Sequence, residues 1–91
     1  MTASLVRIAG RVQGVGYRDW LVREARRNGL SGWVRNRADG TVEALLAGEQ
    51  DAVQSVLNAC RGGPSGAQVT NIDESFAEAP DEPGFLRKPT L

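Results

Sequence analysis

Residues Ser31 to Gly48 read SGWVRNRADGTVEALLAG, two apolar-rich runs on either side of Asp39-Gly40. An Asp-Gly pair in that position signals a hairpin, because glycine readily adopts the positive φ the turn requires. The runs therefore predict strands over Gly32 to Arg35 and Thr41 to Ala47. What flanks this hairpin decides the architecture. On the N-terminal side Tyr17, Leu21 and Ala25 recur at four-residue spacing with Trp20 on a neighbouring line, which predicts an amphipathic helix from Tyr17 to Asn28. Gly29 stops it, and Leu30 can fold back as the apolar contact of a glycine cap. On the C-terminal side, Ala52, Val53, Val56, Leu57 and Cys60 share one side of a second helix, Glu49 to Arg61, whose acidic Glu49 and Asp51 suit the positive end of its dipole.

Working outward, Leu5 to Val12 alternates Val6, Ile8, Gly10 and Val12 against Leu5, Arg7, Ala9 and Arg11, the period of a strand with one covered face. GGPSG, residues 62–66, breaks the second helix. Gln68 to Phe76 and Phe85 to Arg87 close the chain as strands, joined by the acidic, proline-containing AEAPDEPG. The order β-α-β-β-α-β predicts an α+β, ferredoxin-like sandwich, also described as a split βαβ arrangement. Right-handed crossovers place both helices on one face of a four-stranded antiparallel sheet. At 91 residues the chain is expected to be a single domain, residues 1–91, burying roughly two thirds of its unfolded surface. That topology names no function, since many unrelated ones share it.

Composition narrows the chemistry. No window approaches the roughly 20 apolar residues of a membrane span, and Met1 to Ser4 lead directly into a strand, so a cytoplasmic location is expected. Cys60 is the one cysteine and there is no histidine, which excludes an internal disulfide, a zinc constellation and histidine-dependent nucleophiles. Metal-ligating residues are therefore expected to be none, and any catalysis falls to arginine, carboxylates, amides, hydroxyls or the backbone. Formal net charge is zero, but residues 1–37 carry +6 and residues 38–91 carry −6. This asymmetry either solubilises and pairs across the surface or draws a small anion to the N-terminal part.

The stretch GRVQGVGYRDW, Gly10 to Trp20, shows where an anion would bind. Its turn, Gln13, Gly14, Val15, Gly16 and Tyr17, joins the first strand to the first helix. Glycines at 14 and 16 remove the Cβ atoms that would hold a ligand away from the main chain and allow N–H groups to converge. A helix N-terminus adds free donors and partial positive charge, and Arg18 adds a planar, permanently charged fork for two phosphate oxygens. The turn reads as a phosphate cradle, although neither G-x-x-x-x-G-K-[ST] nor G-x-G-x-x-G occurs in it. Asn36, at the end of the second strand, either helps to start the hairpin turn or offers its carboxamide to position a water.

Together, GRVQGVGYR and GWVRNRADGTVEA, followed by GPSGAQV and FLRKPT, strongly resemble the acylphosphatases, and the resemblance runs from Leu5 to Thr90. It implies hydrolysis of the carboxyl-phosphate bond of a small-molecule acyl phosphate, releasing inorganic phosphate. It implies phosphate binding by Arg18 and by the loop Gln13 to Tyr17, and water positioning by Asn36. Tyr17 stands where the better-known animal enzymes carry phenylalanine. The chemistry suits a chain without histidine: the leaving carboxylate has a conjugate acid of pKa roughly 4 and departs without a general acid. A loose phosphoryl-transfer transition state asks mainly for positioning and positive charge. No cofactor is called for, and a monomer with neither nucleic-acid nor membrane partners is expected.

Two other classes are open to this topology. An RNA-binding module would stack bases on aromatics of its central strands, but the first and third strands carry none. A non-enzymatic acylphosphatase-like domain, as found in larger carbamoyl-transfer maturation proteins, is disfavoured by the joint presence of Arg18 and Asn36 and by a chain running from its own methionine to just past the last strand. Elsewhere Trp20, Trp33 and Cys60 are expected to be packing groups, Arg23, Arg26 and Arg27 a solvated helix face, and Asp19 and Glu24 partners for nearby arginines.

Overall fold

A computed structural model describes residues Met1 to Leu91. The elements follow the expected order: β1 (Thr2–Arg11), α1 (Tyr17–Arg27), β2 (Ser31–Asn36), β3 (Val42–Gly48), α2 (Gln50–Cys60), β4 (Gln68–Phe76) and β5 (Phe85–Arg87). They form the ferredoxin-like sandwich, with one correction to the sheet. It has five strands in the order β4-β1-β3-β2-β5, and β5 runs parallel to β2, so the sheet is mixed rather than four-stranded and antiparallel. Every other pairing is antiparallel.

The fifth strand arises because AEAPDEPG carries the chain from β4, at one edge, to the free edge of β2 at the other. There the Gly32 N–H donates to the Gly84 carbonyl at 3.0 Å, and Phe85 lies beside Gly32. A Cβ at Gly32 would stand 1.8 Å from the Leu45 carbonyl oxygen and 3.3 Å from the Phe85 ring. The clash with the Leu45 backbone admits only glycine here, and beside it the Phe85 ring is fully buried.

The core lies on one face. Val6, Ile8 and Val12 from the β1 side, Val34 from β2, Val42, Ala44 and Leu46 from β3, and Phe85 from β5 meet Tyr17, Leu21 and Ala25 of α1 and Val53, Val56, Leu57 and Cys60 of α2. Each large buried side chain contributes about 1.5–3 kcal/mol of transfer free energy. α1 packs over β2 and β5, and α2 over β1 and β3. This is the single covered face read from the alternation of β1. Arg26 is exposed, as expected of a solvated face, and in addition its Nε and Nη2 donate to the Phe85 carbonyl at 3.2 and 3.0 Å, stapling α1 to β5.

The opposite face is covered by side chains alone. Glu43 is buried there, accepting from Arg35 Nε at 2.8 Å with Arg7 and Arg37 each at 3.5 Å. Trp33 lies between cations, 4.6 Å from the Arg35 guanidinium carbon and 5.0 Å from Lys88 Nζ.

Candidate active site

Val12 is buried beside the core, and the chain then turns through residues 13–16 before α1 begins at Tyr17. Gly14 and Gly16 take φ values of 76° and 79°, the left-handed region that side chains disfavour. A Cβ at either would meet nothing within 4 Å, so both glycines leave main chain facing open space. Gly16 is the N-cap of α1 and no side chain caps the helix, so its first N–H groups keep their hydrogen-bonding capacity at the positive end of the dipole.

The side chains of two of the expected loop residues hold this turn in place. The Tyr17 hydroxyl is buried and donates to the Cys60 carbonyl at 2.6 Å, while its ring meets Trp20 edge-on at 5.3 Å. Burial pushes the Tyr17 phenol far above its usual range, so it stays neutral. Gln13 Nε2 donates to the carbonyls of Arg37 and Thr41, both at 2.9 Å, fastening the turn to the mouth of the β2–β3 hairpin. This bond places the hairpin end against the turn.

A cavity of about 150 Å³ opens at this junction, and Gln13, Gly14, Gly16, Tyr17, Arg18 and Asn36 all lie on its wall. Val15 does not; it is half-buried and packs against the core. Arg18, half-buried, takes part in none of the ion pairs, so its guanidinium charge is uncompensated at the cavity. Asn36 ends β2 on the same face as Val34, and its Oδ1 is buried without a hydrogen-bond partner. Its backbone carbonyl accepts from the Leu91 N–H at 3.1 Å, which fixes the strand end.

Two wall residues were not anticipated there. Asp19, in the first turn of α1, and Arg87, on β5, meet at 2.6 Å across the rim. The sequence marked Asp19 as an arginine's partner, but the arginine lies on a strand of three residues, too short for alternation to reveal which way it faces. Cys60 is buried and its thiol is pushed up to about 11, chiefly by desolvation, so it is held as an inert thiol. A guanidinium outside any ion pair, a helix N-terminus without a side-chain cap and an asparagine whose Oδ1 lacks a partner, all from residues lining one small cavity, suit a compact anion and a water.

Comparison with known proteins gives this chemistry a family. The family model described as Acylphosphatase matches residues 5–86. The acylphosphatase of Acidiphilium cryptum is 60% identical over 90 residues, covering 99% of each chain. That of Rhodospirillum rubrum is 57% identical over 91 residues, covering 100% of each. The crystal structure of acylphosphatase from Bacillus subtilis aligns with a TM-score of 0.91 at 36% identity, covering 97% of this chain and 99% of that one. Agreement of sequence and fold along the whole of both partners settles the assignment: this chain belongs to the acylphosphatase family and hydrolyses acyl phosphates.

Proposed function

We propose that Arg18 and the turn Gln13 to Tyr17 hold the phosphoryl group of the substrate, and that Asn36 positions the attacking water. The observation that carries this reading is that Asn36, whose Oδ1 has no hydrogen-bond partner, lines the same cavity as the unpaired Arg18. In this scheme the phosphoryl oxygens take N–H donors from the start of α1 and both arms of the Arg18 fork. The water donates to Asn36 Oδ1 and attacks phosphorus in line. The bond from phosphorus to the acyl oxygen breaks, and its electron pair leaves on the carboxylate, whose low proton affinity makes a general acid unnecessary. The proton of the attacking water passes to a phosphoryl oxygen. Arg18 and the N–H groups supply the positive charge the transition state needs, so the scheme requires no metal or cofactor.

Residues 1–91 act in this reading as one domain and as a monomer, since every group in the scheme comes from a single copy. The substrate is a small-molecule acyl phosphate and the product inorganic phosphate, without nucleic-acid or membrane partners. No helix is long and apolar enough to cross a membrane. A cytoplasmic site of action is supported by the single cysteine, which is free and fits a reducing compartment.

The test is hydrolysis of benzoyl phosphate in the presence of a metal chelator, with Arg18→Ala beside the wild type. Turnover by the wild type that collapses in the variant is expected. Equal turnover by both would remove Arg18 from the mechanism, and loss of wild-type turnover on chelation would remove its metal independence.

A further inference from the structure

The proposed phosphate site leaves the rim pair Arg87–Asp19 unused. β5 lies parallel to β2 with Val34 opposite Arg87, which puts the Arg87 side chain on the same face as Val34 and Asn36. It therefore emerges beside the first turn of α1, where Asp19 Oδ1 accepts from Nη1 at 2.6 Å. Both side chains line the cavity that holds Arg18 and Asn36. The pair is open to solvent, with about half of each side chain exposed (47% for Arg87 and 60% for Asp19), so it adds little to stability. Asp19 is also bonded to one nitrogen of the guanidinium only, which leaves further N–H donors of Arg87 available.

The cavity is small, about 150 Å³, and of its nine wall residues only Val12 and Tyr17 are hydrophobic, both of them buried. It has no exposed apolar shelf for a hydrocarbon tail. A phosphoryl group seated against Gly14, Gly16 and Arg18 must send its acyl end outward across the rim, where a second permanent cation waits on a strand that the phosphate scheme does not use. We propose that Arg87 is a specificity-determining residue for the acyl end, favouring acyl phosphates whose acyl group carries a second anionic group, and that Asp19 orients it. Asp19 also offsets its charge, so acyl phosphates without that group are still accepted. The inference rests on the placement of phosphate in the Gln13–Arg18 turn.

The experiment compares kcat/KM for 4-carboxybenzoyl and 3-carboxybenzoyl phosphate with that for benzoyl phosphate. Intrinsic reactivity cancels when each ratio is compared between wild type and variant. In Arg87→Gln the ratio for at least one carboxylated substrate is expected to fall about fivefold, the size a solvent-screened charge pair supports. Arg87→Lys should restore part of it. Asp19→Asn should raise it, an opposite shift that a general loss of folding does not produce. Raising salt from about 20 to about 500 mM should erode the wild-type ratio and leave that of Arg87→Gln nearly level. Ratios unchanged by Arg87→Gln, or an equal fall for all three substrates, would overturn the proposal, the latter by showing that Arg87 only braces the site. Failure of the wild type to hydrolyse any of the three, or normal turnover by Arg18→Ala, would instead overturn the phosphate-site reading beneath it.

Discussion

The two helices begin at equivalent points of the fold, each following a strand of the same sheet, yet their first turns are built in opposite ways. β3 ends at Gly48, and α2 starts after Glu49 alone. Neither helix has a side-chain cap bond, but α2 sets Glu49 and Asp51 against the positive end of its dipole. α1 is approached through a longer turn with two left-handed glycines, and its first turn carries Arg18. The acid present there, Asp19, is taken by Arg87. Positive charge is thus offset at α2 and accumulated at α1. The difference separates a helix start whose dipole is offset by acids from one that carries free positive charge, as the proposed phosphate site requires, and it is set by a handful of residues rather than by topology.

The comparison is broken most directly at Arg18. On the proposed role, Arg18→Ala would remove two charge-assisted hydrogen bonds to phosphate of about 1.5–3 kcal/mol each, so kcat/KM should fall by roughly two to four orders of magnitude in steady-state assays. Inorganic phosphate at about one hundred times its Kd should stabilise the wild type by about 2.7 kcal/mol in thermal unfolding, and the variant far less. Asn36→Ala should lower kcat about a hundred- to a thousandfold with little change in KM, as expected for a group that positions water rather than phosphate. A change confined to KM would contradict that role.

Smaller effects sharpen the contrast. Gly16→Ala meets no steric obstacle but forces an L-residue into the left-handed region, which should cost about 1–2 kcal/mol of stability and weaken phosphate binding, measured by denaturant unfolding and calorimetry. Asp51→Asn, at the other helix, should cost only about 0.3–1 kcal/mol at low salt and leave hydrolysis unchanged. A comparable loss of activity in Asp51→Asn would show that the two helix starts are not functionally distinct.

Local chemistry made much of this legible. The hairpin follows from Asp39-Gly40, the helices from their four-residue spacing, and the left-handed turn before α1 from glycines at 14 and 16. Long-range pairings were not legible. The tie from the Gln13 amide to the carbonyls of Arg37 and Thr41 was not visible, nor was the packing of the Val15 side chain against the core. Arg26 is the solvated cation it reads as, but its bond to the Phe85 carbonyl was not visible. The parallel seat of β5 and the Arg87–Asp19 pair depend on where three residues dock after a loop with no periodicity. In each case the deciding partner lies more than twenty residues away or on another layer, beyond the reach of any sequence window.

The seat of β5 has a kinetic consequence. Gly32 pairs with Phe85, and on the far side of the sheet Ser4 pairs with Phe76, so both edges close between segments far apart in the chain. Such closures must overcome loop entropy before their contacts form, which favours slow folding. The strand that ends in Asn36 has β5 as its outer neighbour, and Leu91, just beyond β5, donates its N–H to the Asn36 carbonyl. In a refolding experiment hydrolytic activity should therefore return with the slowest structural phase, without an earlier, partly folded species that turns over substrate.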